Sequence, residues 1–142
     1  MLLGELEAKK LLEGLTALPD SPPKMSLLLG QIDLREGNAR RAGQLFAHYL
    51  PRADDPVGVL IAQRGIGLSA WKRGEWEQAI MTLELYEQMQ ERPRPDPELQ
   101  MTLAHAARKM GVETLYLERL QKVAAMESDD PRVGEAIQGL IQ

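Results

Sequence analysis

Three glycines at a constant interval constrain the fold of this chain more than any other feature. Gly37, Gly74 and Gly111 are each 37 residues apart, and each follows an apolar-periodic stretch with basic residues in its last turn. This pattern is typical of a helix C-terminus, because glycine adopts the left-handed conformation and cations interact favourably with the helix dipole. Another amphipathic stretch follows each glycine almost at once. The interval therefore predicts three helical hairpins, each closed by a tight turn.

Aspartate–proline pairs mark the starts of further helices. Asp55-Pro56, Asp96-Pro97 and Asp130-Pro131 each place a hydrogen-bond acceptor before a proline, and Ser21-Pro22 does the same. An acceptor at the N-cap and proline at the next position are both favoured at a helix start. Together with the hydrophobic periodicity, these marks predict eight helices and no strand. The predicted ranges are 2–17, 22–36, 39–51, 56–73, 75–91, 97–110, 113–127 and 131–141.

The composition of the chain excludes several classes of protein. The chain has 142 residues, a formal net charge of −4 and no cysteine, which excludes disulfides, thiolate metal sites and a cysteine nucleophile. No apolar run reaches the roughly 18–20 residues of a membrane span, and charges from Glu5 onward interrupt any secretory signal. The acidic balance with dispersed Lys and Arg disfavours nucleic acid as a partner. We expect a cytoplasmic protein, or a periplasmic one if the sequence is excised from a larger exported protein.

Small and large apolar residues recur at fixed distances from the turn glycines. Small residues allow two helix backbones to approach closely, and large residues fill the space beside the crossing. The small residues are Gly30, Gly67 and Ala104, seven positions before the turn, and Ala42 and Ala79, five positions after it. The large residues, nine positions after the turn, are Phe46, Leu83 and Leu120.

This register resembles the tetratricopeptide repeat, whose signature is a Leu-Gly pair, a turn glycine, an alanine and a large apolar residue. The first hairpin matches it through Leu29, Gly30, Gly37, Ala42 and Phe46. The second hairpin matches it through Gly67, Gly74, Trp76, Ala79 and Leu83. The third hairpin departs from it, because Tyr116 stands where the alanine would be.

The resemblance implies an all-α fold, a right-handed α-solenoid of antiparallel helix pairs in one domain spanning 1–142. It has about three repeats between a flanking N-terminal helix and a C-terminal capping helix. The implied units are a partial repeat at 1–20, repeats at 21–54, 55–92 and 93–129, and the capping helix at 130–142.

The resemblance also implies a function in protein binding. In tetratricopeptide proteins the first helix of each pair lines a concave groove that holds a peptide or helix of a partner. Its inward positions lie two, three, six and ten residues before the turn glycine. In this chain they are Leu27, Gln31, Leu34, Arg35, Arg64, Leu68, Trp71, Lys72, Met101, His105, Arg108 and Lys109.

The charges at these twelve positions predict the chemistry of the partner. Six of the twelve are basic or histidine and none is acidic, although the chain is negatively charged. We therefore expect a positive and apolar groove that takes an acidic amphipathic helix or an acidic extended segment, with Trp71 as a central anchor. The alternative is that Arg35, Lys72 and Lys109 only complement their helix dipoles and that Trp71 belongs to the core.

The sequence contains no pattern that indicates catalysis, a metal or a cofactor. His48 and His105 lie in different repeats, and neither has Asp or Glu three or four residues later. Gly65-Ile66-Gly67 lies within a helical pattern, whereas a phosphate-binding loop follows a strand. We expect a protein that is not an enzyme and has neither metal nor cofactor.

The acidic residues of the chain have structural interpretations. Asp54-Asp55 and Asp129-Asp130 precede prolines at helix starts, which favours N-capping over acid–base chemistry. Glu84, Glu87 and Glu91 recur at helical spacing and predict a solvated convex face.

Two narrower functions are open alternatives. Residues 117–132 resemble the end of the small helical chaperones that hold needle subunits of type III secretion systems. Alternatively, the chain is a segment of a larger bacterial secretion or polymer-export scaffold, since its first helix corresponds to the second helix of an incomplete pair. A homodimer through this helix would cover its leucines. These are Leu3, Leu6, Leu11, Leu12 and Leu15.

Overall fold

A computed structural model describes residues 4–17 and 21–142, without the side chains of four residues in the first helix, Glu5, Leu12, Leu15 and Thr16. Within this part the fold is all-helical, with eight α-helices and no strand, which confirms the prediction. The helices are α1 (Glu5–Thr16), α2 (Pro23–Arg35), α3 (Ala39–Tyr49), α4 (Pro56–Lys72), α5 (Trp76–Met89), α6 (Pro97–Lys109), α7 (Glu113–Ala124) and α8 (Pro131–Ile141). A 3-10 turn at Leu50–Arg52 continues α3. Positions 2 and 3 of the predicted first helix lie outside the described residues.

The three turn glycines have the predicted left-handed backbone. The φ angles of Gly37, Gly74 and Gly111 are +90°, +78° and +77°, and no other described residue has a positive φ. After each turn, a backbone amide donates to the carbonyl oxygen five residues earlier, which closes the end of the preceding helix. These bonds join Asn38 to Asp33 (2.8 Å), Glu75 to Ala70 (2.9 Å) and Val112 to Ala107 (2.9 Å). The 37-residue interval thus corresponds to three turns of the same type.

The left-handed turn at Gly111 makes a testable prediction. A Cβ atom on Gly111 would have open space around it, but φ is +77°. We therefore expect Gly111→Ala to lower the free energy of unfolding by about 1–2 kcal/mol. Gly134→Ala in α8 is the matched control, because a Cβ there also meets open space without a positive φ. It should raise stability by up to about 1 kcal/mol. Urea unfolding followed by circular dichroism measures both, and equal effects would contradict the turn geometry.

The aspartate N-caps are confirmed, and the serine cap is wrong. Asp55, Asp96 and Asp130 each accept a hydrogen bond from a backbone amide two or three residues later, at 2.9–3.1 Å. At α2 the N-cap residue is Pro22 and Pro23 occupies the first helical position. Ser21 therefore lies one residue too early to be the cap.

Neighbouring helices pack in consecutive pairs, which is consistent with a helical repeat. The most extensive contacts join α2 to α3, α4 to α5 and α6 to α7. Each pair packs on the next, and α1 packs on α2. In addition α2, α4, α6 and α8 contact one another in sequence. We call these four the inner helices, and α3, α5 and α7 the outer helices.

Phe46 occupies the predicted close crossing of the first pair. It is fully buried, and it contacts glycines on two inner helices. A Cβ atom on Gly30 of α2 would lie 2.8 Å from its ring, and one on Gly65 of α4 would lie 2.3 Å from it. Only glycine leaves room for the ring at these two positions, so Phe46 links α2, α3 and α4.

Equivalent residues form the crossings of the second and third pairs. A Cβ atom on Gly67 would lie 2.4 Å from Leu83 Cδ2. In the third pair, Ala104 and Leu120 share one buried cluster, and Tyr116 packs against it partly buried. The third crossing thus accommodates the tyrosine by leaving part of its side chain outside the core.

A buried polar cluster joins the second pair to the third. Arg119 Nη1 on α7 donates to both carboxylate oxygens of Glu87 on α5, at 2.9 and 2.8 Å. The same nitrogen donates to Gln100 Oε1 at 2.9 Å, and Gln100 Nε2 donates to Glu87 at 2.6 Å. The prediction of a solvated face is therefore wrong for Glu87, since a buried guanidinium requires a carboxylate partner.

The first helix is held by ion pairs and leaves leucines exposed. Lys9 pairs with Asp33 of α2 at 3.2 Å and with Glu36. Leu6 and Leu11 are exposed, as predicted. Leu3 and the side chains of the two further leucines of the predicted apolar face, Leu12 and Leu15, lie outside what the structure describes. None of the described helices has the length and hydropathy required to cross a membrane.

Candidate protein-binding groove

The inner helices line an open cavity of about 880 Å³, which we call the groove. Phe46 and Tyr86 of the outer helices also reach it. Nine of the twelve residues predicted from the repeat register line this groove. They are Gln31, Leu34, Arg35, Arg64, Leu68, Trp71, Lys72, Met101 and His105.

The other three predicted residues lie elsewhere. Leu27 is buried in the core against Phe46, because its face of α2 is turned toward α3. Arg108 and Lys109 border a second cavity of about 710 Å³, which they share with Trp71 and His105. The prediction for Leu27 is therefore corrected to a core position, and the two cations are placed beside the groove.

The apolar surface of the groove comes mainly from α4. Val57, Leu60 and Ile61 line it in addition to Leu68 and Trp71. The inward positions reach only ten residues before the turn glycine, so they miss Val57, Leu60 and Ile61. These three residues lie nearer the start of α4, which has 17 residues compared with 13 in α2. The signal was present in the sequence, since apolar residues continue toward the start of α4 at spacings of three and four.

Trp71 is half-buried between the groove and the second cavity. Its ring lies 4.9 Å from the ring of Trp76 and is stacked on His105 at 6.1 Å. Contact with Trp76 fixes one side of the indole, and the groove exposes another. The side chain is therefore neither fully buried nor fully exposed.

A network of ion pairs in the groove joins the middle of α4 to the first turns of α6 and α8. Arg64 of α4 makes two hydrogen bonds to Asp96, at 2.9 and 3.0 Å, and one to Glu98 at 2.9 Å. Burial lowers the pKa of Arg64, but hydrogen bonding and the negative charges of Asp96 and Glu98 outweigh it and raise this pKa above its usual value. Glu98 also accepts from Arg132 of α8 at 3.0 Å. These charges largely neutralise one another.

Two carboxylates that line the groove are not among the inward positions predicted from the repeat. Glu98 lies in the first turn of α6, outside the four inward positions. Glu135 lies on α8, which no turn glycine follows in the sequence, and it pairs with His105 at 3.3 Å. The groove therefore contains acidic side chains, although none of the twelve predicted positions is acidic.

The opposite ends of the inner helices carry positive charge. Arg35 and Lys72 lie in the last turns of α2 and α4 and line the groove. Lys72 Nζ donates to the carbonyl oxygen of Leu34 at 3.2 Å, and no described carboxylate forms an ion pair with it. In the adjoining cavity Arg108 lies over the ring of Tyr116. We call the groove residues Arg35 and Lys72 the cationic edge.

Comparison of the chain with protein-family models, curated proteins and solved structures gives no match. In the part of the chain that the structure describes, no group of three or more His, Asp or Glu residues could hold a metal ion. The geometry and charge of the groove are therefore the basis for a functional assignment.

Proposed function

We propose that this chain is a right-handed α-solenoid of about three tetratricopeptide-like repeats that holds a segment of a partner protein in its groove. The three identical glycine turns, the equivalent small–large crossings and the sequential contacts of the inner helices support the repeat assignment. In this assignment α1 belongs to a partial repeat and α8 caps the last one. The function is non-catalytic and requires no cofactor.

The apolar inner face of α4 is the observation that carries the proposal. It runs from Val57, which is 60% exposed, to Trp71 in the last turn. These residues are 14 positions apart, which corresponds to about 21 Å along a helix. Apart from Arg64, which lies midway along it, this face is apolar, and its length fits the side chains on one face of an amphipathic helix, or alternate side chains of an extended segment.

The charge of the groove favours an acidic partner. Lys72 has no carboxylate partner among the described residues, whereas Arg64 is already paired with Asp96 and Glu98. A carboxylate on the bound segment would therefore interact mainly with Lys72. Charge complementarity at this position sets the orientation of the segment as well as its affinity.

A peptide-binding experiment tests this function. We expect a labelled amphipathic helical peptide of Leu, Ala and Glu, about 18 residues long so that it can form a helix, to bind the full chain in fluorescence anisotropy. Trp71→Ala combined with Lys72→Gln should weaken binding at least about tenfold, because it removes the central aromatic and a groove cation that no described carboxylate pairs with. Leu117→Ala combined with Lys122→Gln on α7 is the matched control, since both residues are exposed.

The outcomes of this experiment distinguish binding in the groove from a general effect of charge on peptide affinity. The control variant should retain the affinity of the wild type, and circular dichroism should show full helicity for both variants. Equal affinities for both variants would overturn the proposed function. A needle-subunit chaperone is a narrower form of the same function, because its client would also be an amphipathic helix.

Self-association is a second candidate, favoured by exposed apolar side chains on both end helices. Leu6 and Leu11 of α1 and Ile137 and Ile141 of α8 are exposed. Stacking of copies, or of adjoining segments in a larger scaffold, would cover them. Light scattering across a range of concentrations should then show a mass above one chain, and Leu6→Gln combined with Leu11→Gln should reduce it. A constant monomer mass would exclude stacking of copies of this chain.

A further inference from the structure

An apolar stripe runs along the outer surface of α5, away from the groove. Met81, Leu85 and Met89 are 64%, 48% and 38% exposed. Their spacing of four residues places them beside one another on one face of the helix. None of the three lines the groove. Single exposed apolar residues are ordinary in a soluble protein, but a continuous row on one helix marks a contact surface.

The stripe ends at a cavity of about 720 Å³ where α4 begins. Met89 lines this cavity together with apolar residues of α4 and the segment before it. Three carboxylates also line it, and its lining contains no cation. These carboxylates are Asp54, Asp55 and Glu91.

Acidic side chains lie near both ends of the stripe. Helix α5 contains no Lys or Arg. Glu77 and Glu84 are seven residues apart on α5, so they lie on the same side of the helix. Glu91 follows two residues after the helix ends at Met89. Glu77 and Glu91 are exposed, whereas Glu84 lies 3.6 Å from Arg119. The surface is therefore apolar along its centre, with Glu77 near its start and the carboxylates of the cavity at its end.

We propose that this surface of α5 binds a basic amphipathic helix of a partner protein. Apolar residues of that helix, spaced by three or four positions, would contact Met81, Leu85 and Met89. Its Lys or Arg residues would face Glu77 and the three carboxylates of the cavity, Asp54, Asp55 and Glu91. This is the opposite charge preference from that of the groove, so one chain binds two partners of different chemistry.

The charges argue against two other occupants of the stripe. A second copy of this surface would bring its own carboxylates close to these, and like charges at such an interface repel each other. An acidic segment that fits the groove is repelled for the same reason. A basic helix is the occupant that satisfies both the apolar row and the carboxylates.

A pair of synthetic peptides tests the proposal on the full chain. The first is an amphipathic helix of Leu, Ala and Lys, about 18 residues long for helix formation, and the second has Glu in place of Lys. We expect Met81→Gln combined with Leu85→Gln to weaken binding of the Lys peptide at least about tenfold, because both side chains lie at the centre of the contact. Glu77→Gln combined with Glu91→Gln should weaken it several-fold and reduce its dependence on salt.

Controls on α7 and in the groove make the outcomes decisive. Leu117→Gln combined with Glu118→Gln changes an exposed apolar and an exposed acidic residue, and it should leave the affinity unchanged. Trp71→Ala combined with Lys72→Gln should also leave the Lys peptide bound. Loss of the Lys peptide in the groove variant, or equal binding by wild type and the Met81 and Leu85 variant, would overturn the proposal. Self-association that disappears in the stripe variant would identify a second copy as the occupant and also overturn it.

Discussion

Replacing Phe46 by alanine is expected to lower the free energy of unfolding by about 3–5 kcal/mol. The ring is fully buried and contacts Gly30 on α2 and Gly65 on α4. Neither glycine has a side chain that could move into the space, so the cavity would persist and its cost would add to the lost burial. Chemical denaturation followed by circular dichroism measures the change.

Two further variants make the Phe46 result interpretable. Phe46→Leu keeps most of the apolar volume and should lose less than half as much stability as the alanine variant. Met81→Ala removes an apolar side chain of similar length from an exposed position, and it should change stability by about 0.5 kcal/mol or less. A loss below about 1 kcal/mol for Phe46→Ala would contradict the close packing of α2, α3 and α4 around the ring.

Replacing Arg119 by alanine is expected to cost about 3 kcal/mol, because it leaves a largely buried ion pair without its cation. Glu87 and Gln100 would lose the guanidinium that both contact. Among its described partners, Glu87 would then keep the hydrogen bond from Gln100. Because the pair is shielded from water, the loss should depend little on salt concentration.

Arg132→Ala is the matched control for Arg119. Arg132 also bonds to two carboxylates, those of Glu98 and Asp130, but 39% of its side chain is exposed compared with 7% for Arg119. Its loss should therefore cost no more than about 1 kcal/mol, and less at high salt. Equal losses for the two arginines would show that the cluster at Arg119 is not protected from solvent.

Local features of the fold could be predicted from the sequence because they depend on neighbouring residues. The left-handed turn at Gly37 depends on one residue without a side chain, and the N-caps depend on a short acceptor before proline. Six of the eight helices, α2 to α6 and α8, begin and end within two residues of the predicted limits. Helix α1 ends one residue before its predicted limit, and α7 ends at Ala124 rather than 127. The small–large crossings could also be predicted, since they repeat at the same interval as the turns.

Contacts between distant residues could not be predicted in the same way. Glu87 and Arg119 are 32 residues apart, and nothing in the spacing of the glutamates on α5 indicates which one meets a buried arginine. Likewise, counting back from the turn glycine places Leu27 on the groove, but in the structure its side chain is buried in the core. Glu135 was not predicted, because the inward positions are counted from the turn glycines after α2, α4 and α6.

Nuclear magnetic resonance mapping of a bound peptide tests the central claim most directly. Titration of the isotope-labelled full chain with the Leu, Ala and Glu peptide should shift the amide signals of the inner helices, among them Gln31, Leu68 and His105. The signals of Gln44 and Glu118, which are exposed on outer helices, should stay in place. Shifts confined to the outer helices, or no shifts at saturating peptide, would contradict a groove that binds an acidic amphipathic segment.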